Sequence, residues 1–367
     1  MNKRLFFSIL TIFSFLNTIS FAQEENSEIS IVEIPTYIKQ HPERFALIVQ
    51  QDKARLVDVG SYVEFPVLNL QNFPILIEYA YQIANGNFTP DYRISIRDLN
   101  VYQMNNISTK FWQDHLERSG KIQNNKIMLQ DVAMGMMLFN VDACHEYLVE
   151  LLGKGAIESR LKKLGLKDLD FYPYPSSQHF FQAQSVKNAD GFEYYLNNLS
   201  EKDKASKSWE VHNALRDDFD NTYKENDLEV NPATFKKIAK IWVDQSRKEK
   251  VENYIKVLHQ INSKSSFPNK VNKVISETLE LEIMKSPEVS KDLKHCGFTT
   301  GSYLNTLVIG MYGEDLYGKQ TEMILVVTGM NESEHIRLSK ELNQFGLRII
   351  RDRTYRKKLM ESFPINR

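Results

Sequence analysis

Strand-length apolar runs stand near both ends of this chain, and the long segment between them carries apolar residues at helical spacing. That arrangement restricts the fold more than any single motif. Near the amino end, Phe45-Ala-Leu-Ile-Val49, a turn at Asp52-Lys53 and Arg55-Leu-Val-Asp-Val59 read as a hairpin of two short strands. Near the carboxyl end, Leu304–Tyr312 and Met323–Thr328 are divided by Gly313-Glu314-Asp315 and Gly318, which reads as an antiparallel pair. An amphipathic helix follows from Asn331 to Phe345, with Asn331 as its cap and Glu334 in its first turn. From Asn87 to about Gln245 the pattern is helical. It is clearest over Met128–Gly153, where Leu129, Val132, Met136, Met137, Ala143, Tyr147, Leu148 and Leu151 recur at helical spacing. A second start is expected at Asn231-Pro232, an N-cap followed by a first-turn proline. The expectation is an α/β fold of the α+β kind: one antiparallel sheet built from both chain ends, flanked by helices, with an inserted all-α lobe. Residues 23–60 and 285–367 are assigned to the sheet lobe and 61–284 to a mainly helical lobe.

The first residues bear on the compartment. Lys3 and Arg4 precede an apolar run from Leu5 to Leu16, and the small residues Ser20 and Ala22 follow. This is the layout of a secretory signal peptide, residues 1–22, cut after Ala22. The run is shorter than the ~20 residues of a bilayer span, and no cysteine follows the cut to take a lipid. The expected product is exported, periplasmic or secreted, with no transmembrane anchor after cleavage. Loss of Lys3 and Arg4 takes the 46 basic residues to 44 against 47 acidic ones, a formal charge of −3. A balance of that sign gives no footing for nucleic acid. Hydrophobic residues make up 42% of the chain, enough apolar surface for one large domain or two lobes. Cys144 and Cys296 would enter a compartment that permits disulfides, and one bridge or two free thiols both fit the sequence.

Four segments carry the chemistry. Gly60-Ser61-Tyr62-Val63-Glu64-Phe65-Pro66-Val67 opens a long apolar stretch read as a helix from Ser61 to Ala84, kinked or broken at Pro74 and closed near Asn85-Gly86. Gly86–Leu99, Asn140-Val141-Asp142 and His295-Cys296-Gly297 follow in order. In that order they resemble class A β-lactamases and the related penicillin-binding-protein-type serine hydrolases. That family reads Ser-x-x-Lys at its nucleophile helix, Ser-Asp-Asn at its second motif and Lys-Thr-Gly on an inner strand. The resemblance implies Ser61 at the nucleophile position with Glu64 where the lysine stands, and Asn140 to Asp142 at the second motif. It implies His295-Cys296-Gly297 at the third, followed by Phe298-Thr299-Thr300-Gly301; a shift of one residue would restore a lysine, Lys294. The glutamate that class A enzymes carry on a loop has no counterpart in Phe171–Gln178.

A serine hydroxyl is a weak nucleophile until a base takes its proton, so the loss of lysine bears directly on activity. With Glu64, His295 and Asp142 at these positions the pocket would change sign and repel an anionic substrate. The leading reading is a pseudoenzyme that binds a small-molecule or peptidoglycan-derived ligand without classical β-lactam hydrolysis. The alternative is a divergent serine hydrolase with Ser61 as nucleophile, His295 as base, and Asp142 or Glu64 orienting the imidazole. Ser61 also reads as a plain helix cap, and Glu64 as a favourable charge at the helix start. Cys144-His145 and His295-Cys296, with Glu64 and Asp142, raise a metal reading. Adjacent residues on a helix diverge, however, so no metal and no cofactor is expected. Phe171 to Pro175, with Phe180 and Phe181, reads either as a satellite core or as an aromatic lip.

Overall fold

The computed structural model describes residues 33–66, 68–103, 107–166, 189–218, 237, 240–241, 243–244 and 248–365. The expected signal peptide, the aromatic stretch of residues 171–181, the expected helix start at Asn231-Pro232 and Trp242 lie outside them. In chain order come α1 (Glu33–Gln40), β1 (Phe45–Gln51), β2 (Ala54–Val59), β3 (Glu64–Pro66), α2 (Asn72–Ala84), β4 (Arg93–Ser95), α3 (Ile107–Arg118), β5 (Lys126–Met128), α4 (Leu129–Leu138) and α5 (Asp142–Leu152). Next are α6 (Lys154–Lys163), α7 (Ala189–Asn197), α8 (Glu201–Asp217), β6 (Lys248–Lys250), α9 (Val251–Asn262) and α10 (Asn269–Leu279). The chain closes with β7 (Leu293–Tyr303), β8 (Thr306–Asp315), β9 (Gln320–Val327), α11 (Glu332–Arg351) and α12 (Arg353–Ser362). Two compact units result, residues 1–73 with 248–367, and residues 74–247.

The first unit is organised by a five-stranded sheet of order β2-β1-β9-β8-β7, with every neighbouring pair antiparallel. The mixed α/β fold expected from the sequence is therefore observed, with the sheet drawn from both chain ends. Asp52 and Lys53 both have positive φ (46° and 69°), as a two-residue hairpin turn requires. Phe45 to Val49 are all buried, so β1 packs on both faces. Each such Leu, Ile or Val contributes roughly 1.5–3 kcal/mol by leaving water. Alternation along β8 separates two helical layers: the Gly310 position meets Leu258 of α9, whereas Ile309 and Met311 meet Gly346 of α11. A Cβ on Gly346 would lie 2.9 Å from the Ile309 side chain, so the missing side chain lets α11 approach the sheet. As expected, α11 starts with reciprocal bonds: Glu334 N donates to Asn331 Oδ1 (2.9 Å) and Asn331 N to Glu334 Oε2 (2.8 Å).

The helical unit corrects one reading. Met128–Gly153 is two helices, α4 and α5, broken at Asn140, whose φ is +55°. The apolar period runs through the break because Leu129, Val132, Met136, Met137, Ala143 and Leu148 are all buried. Gly135 allows close packing there, since a Cβ would sit 2.7 Å from Cys144 Sγ and 2.8 Å from the Trp112 ring. In the same unit Glu146 and His212 are buried, with Glu146 Oε2 2.6 Å from His212 Nδ1, and Glu150 Oε2 lies 2.9 Å from Nε2. The Tyr102 ring stacks on the imidazole at 5.0 Å. His212 is pulled two ways: burial acts against its charge, and the two carboxylates raise its pKa overall. Both cysteines are free thiols in buried positions.

Candidate functional site

The expected helix from Ser61 to Ala84 does not form as one element. After β2 the backbone turns at Gly60, whose φ is +65° and where a Cβ would lie 2.4 Å from the Phe45 carbonyl oxygen. Only glycine fits that turn. Ser61 follows in the turn, 5% exposed, and its carbonyl accepts from Glu252 N at 3.4 Å. Glu64 is exposed and starts β3, directly opposite Lys250 of β6. Phe65 and Pro66 behind it are both buried, and the segment is a strand because it pairs antiparallel with Lys248–Lys250. The reason for the misreading is physical: β3 exists because of a partner strand far away in sequence. Its local composition does not announce it.

The helix begins later. A 3-10 turn over Leu68–Gln71, entered through a positive φ of +39° at Leu68, leads into α2 at Asn72. Pro74 then falls in the first turn of α2, where its missing N–H has no intrahelical acceptor, so it neither kinks nor breaks the helix. The residues at i, i+3 spacing in this helix start are Asn69 and Asn72. The signal that could have located them is Pro74, a residue that favours a helix's first turn. At the other end the reading holds, with Gly86 at φ +81° and its N–H donating to Ile83 O at 3.0 Å.

On β7 a second glycine-ended triplet, Thr299-Thr300-Gly301, lies close to this helix start. Asn69 meets Gly301, where an added Cβ would lie 2.5 Å from Asn69 Oδ1. Thr299-Thr300-Gly301 therefore stands beside the helix start, with Thr299 wholly buried and Thr300 half-buried. His295-Cys296-Gly297 sits further along the strand in different company. His295 Nε2–H donates to Asn262 Oδ1 (2.8 Å), and burial pushes the ring's pKa below its ordinary value. Cys296 is buried, which raises its pKa, and the Tyr312 phenol covers Gly297 at 2.4 Å from a built Cβ. Lys294 is exposed and donates Nζ to Glu314 Oε1 at 2.8 Å, so a one-residue shift brings no lysine to Asn69 either.

This end of β7 belongs to a buried polar layer. Glu322, with no exposed surface, accepts from Asn262 Nδ2 (2.7 Å) and Gln50 Nε2 (3.0 Å), and lies 3.0 Å from His259 Nδ1. Tyr312 donates its hydroxyl to Glu280 Oε1 at 2.8 Å, and Lys264 pairs with the same oxygen. Satisfying Glu322 and Glu280 in this way avoids the several kcal/mol that an unpaired buried carboxylate costs.

In the helical unit, Asn140 occupies the left-handed position between α4 and α5, and Asp142 is the first residue of α5; both are half-buried. Val141 N donates to Gly135 O at 3.0 Å and its carbonyl receives Cys144 N, which fixes the corner. His145 is 2% exposed and burial lowers its pKa to about 4. Among the described residues no group of three His, Cys, Asp or Glu side chains is arranged to hold a metal ion.

A family model described as the beta-lactamase enzyme family matches residues 31–264. Among solved structures, L2 complexed with relebactam aligns at TM-score 0.50 and 8% identity, covering 86% of this chain and 94% of the other. A β-lactamase from Francisella tularensis aligns at 0.49 and 10% identity over 85% and 97% of the two chains. A class A β-lactamase representative from Bacteroides cellulosilyticus gives 0.48 and 12% over 85% and 97%. No curated protein matches the chain. The sheet from both ends and the interrupted helical segment define a β-lactamase-like serine-hydrolase fold. This chain belongs to the beta-lactamase enzyme family.

Proposed function

We propose that this chain is an exported binding protein that keeps the family's cleft-forming elements and does not acylate its ligand. The observation that carries this reading is the contact of Asn69 with Gly301, at the start of α2 and on β7. Taken with the family's Ser-x-x-Lys and Lys-Thr-Gly, it aligns Asn69 with the serine, Asn72 with the lysine and Thr299 with the second lysine. A carboxamide has no hydroxyl to attack a carbonyl and no amine to accept a proton.

The ligand chemistry follows from the same replacements. An exposed Glu64 opposite Lys250 does not support a pocket of reversed sign. Half-buried Asn69 and Thr300, backed by buried Asn72 and Thr299, are instead neutral hydrogen-bonding side chains. They favour an uncharged, hydrogen-bonding ligand such as the amide or sugar portion of a peptidoglycan fragment over an anionic β-lactam. The test is intact mass after incubation with a penicillin and a fluorophosphonate, run beside Ser61→Ala. No adduct is expected on a sample whose cooperative unfolding shows it is folded. A Ser61-dependent adduct overturns the reading and establishes the serine hydrolase instead.

A further inference from the structure

The β8–β9 connection exposes two bulky apolar residues at its apex. Leu316 is 55% and Tyr317 92% exposed. They cannot fold back to hide, because the turn is fixed: Asp315 Oδ1 accepts from both Tyr317 N and Lys319 N at 2.9 Å. Gly318 N also donates to Asp315 O at 3.0 Å, and Gly318 takes a φ of +84°. The neighbouring β1–β2 turn is tied to it, with Asp52 Oδ2 accepting from Lys319 Nζ at 2.9 Å and Asp52 Oδ1 from Gln320 N at 3.0 Å.

Basic side chains collar this apex. Lys319 is part of the turn, Lys53 is in the adjoining one, and Lys294 Nζ lies 3.7 Å from a Cβ built on Gly318. Arg353 starts α12, which packs against β2, and it acts through space on Lys319. The acidic groups here are Asp52 and Glu314, paired with Lys319 and Lys294, and Asp315, which binds the turn's own amides. With Asp352, which adjoins Arg353, and the Arg348 it pairs with counted as well, five cations against four carboxylates leave the corner positive, on a chain whose formal charge is −1.

We propose that the Leu316-Tyr317 apex, collared by Lys53, Lys294, Lys319 and Arg353, docks weakly and reversibly on an anionic phospholipid surface. A convex apex of two side chains falls far short of the ~800 Å² per partner of a stable protein interface. It does match a bilayer interface, where a tyrosine ring rests at headgroup level, a leucine reaches below it and ammonium groups meet lipid phosphates. Because the whole chain is slightly acidic, dependence on anionic lipid points to this corner and not to bulk charge.

The test is flotation of the full purified chain with phosphatidylcholine vesicles, with and without about 30% phosphatidylglycerol, at low and high salt. The expected result is at least a roughly fivefold larger bound fraction on the anionic vesicles, lost at high salt and in the Leu316→Ser/Tyr317→Ser variant. Thermal unfolding checks that this variant is folded. A separate readout is Tyr317→Trp, whose fluorescence should shift to the blue on adding anionic vesicles. Three outcomes overturn the proposal: no flotation, flotation unchanged in the double variant, or sedimentation showing that the apex instead mediates a dimer of this chain.

Discussion

The two halves of β7 contrast in chemistry. From Leu293 to Gly297 the strand joins a layer of titratable groups, His295 bonded to Asn262 and through it to Glu322 and His259, with Tyr312 and Glu280 alongside. From Thr299 to Gly301 the residues are neutral, and Gly301 meets a carboxamide at the start of α2. Sequence reasoning is drawn to the first half because histidine, cysteine and glutamate are the residues of catalysis. The structure assigns those groups to holding α9 and α10 against the sheet. Perturbed titration here reports burial and packing, whereas Thr299 to Gly301 and the Asn69 they approach carry no titratable group.

The largest effect that would sharpen this contrast is on stability. Glu322→Leu leaves Asn262, Gln50 and His259 without their shared acceptor and should destabilise by about 3 kcal/mol, read as a lower urea midpoint. If the same variant also abolished ligand binding at the Asn69 end, the division would be broken.

Next is pH. Burial lowers the His335 pKa to about 4, and its Nε2 lies 3.0 Å from Ser302 Oγ. A folded pKa below the unfolded value of about 6.5 means this stability is complete above 6.5 and is lost as pH falls toward about 4, by up to roughly 3 kcal/mol. His335→Asn should flatten that acid limb in unfolding curves. His212 runs the opposite way: its raised pKa adds stability at low pH that is lost as pH rises through the folded value. NMR titration of the two rings should give midpoints on opposite sides of the ordinary histidine value.

Gly301→Ala should cost about 1–3 kcal/mol, because its Cβ would meet Asn69 Oδ1. Adding Asn69→Gly should recover most of the loss, and a double-mutant cycle of unfolding free energies measures the coupling. Additive effects would mean that Asn69 does not press on Gly301.

The smallest effect expected is that of Ser61→Ala, under about 1 kcal/mol, with no change in ligand binding by calorimetry. A large loss of binding there would return Ser61 to the functional site.

What was legible in the sequence was what local forces decide. The β1–β2 turn, the cap of α11 by Asn331 and Glu334, and the glycine close of α2 each follow from a few adjacent residues. The start of α2 was misplaced because Glu64–Pro66 becomes a strand only through Lys248–Lys250. On β7, His295-Cys296-Gly297 and Thr299-Thr300-Gly301 are both glycine-ended triplets on one strand, and only the position of Asn69 beside Gly301 distinguishes them. Asn140 and Asp142 stand at a corner between α4 and α5 that the unbroken apolar period does not announce.

The pairing of β1 with β9 has a consequence for how the molecule can be made. Gln51 bonds to Thr321, 270 positions later, so the amino-terminal hairpin has no second neighbour until nearly the whole chain has been synthesised. Until then its apolar face and one open edge stay unsatisfied, which slows folding and exposes the nascent chain to mispairing. The helical unit is made of nearer neighbours and can close first. The last strands thus set the moment at which the sheet becomes one body, and a chain cut short before Gln320 would carry a finished middle between two unfinished ends.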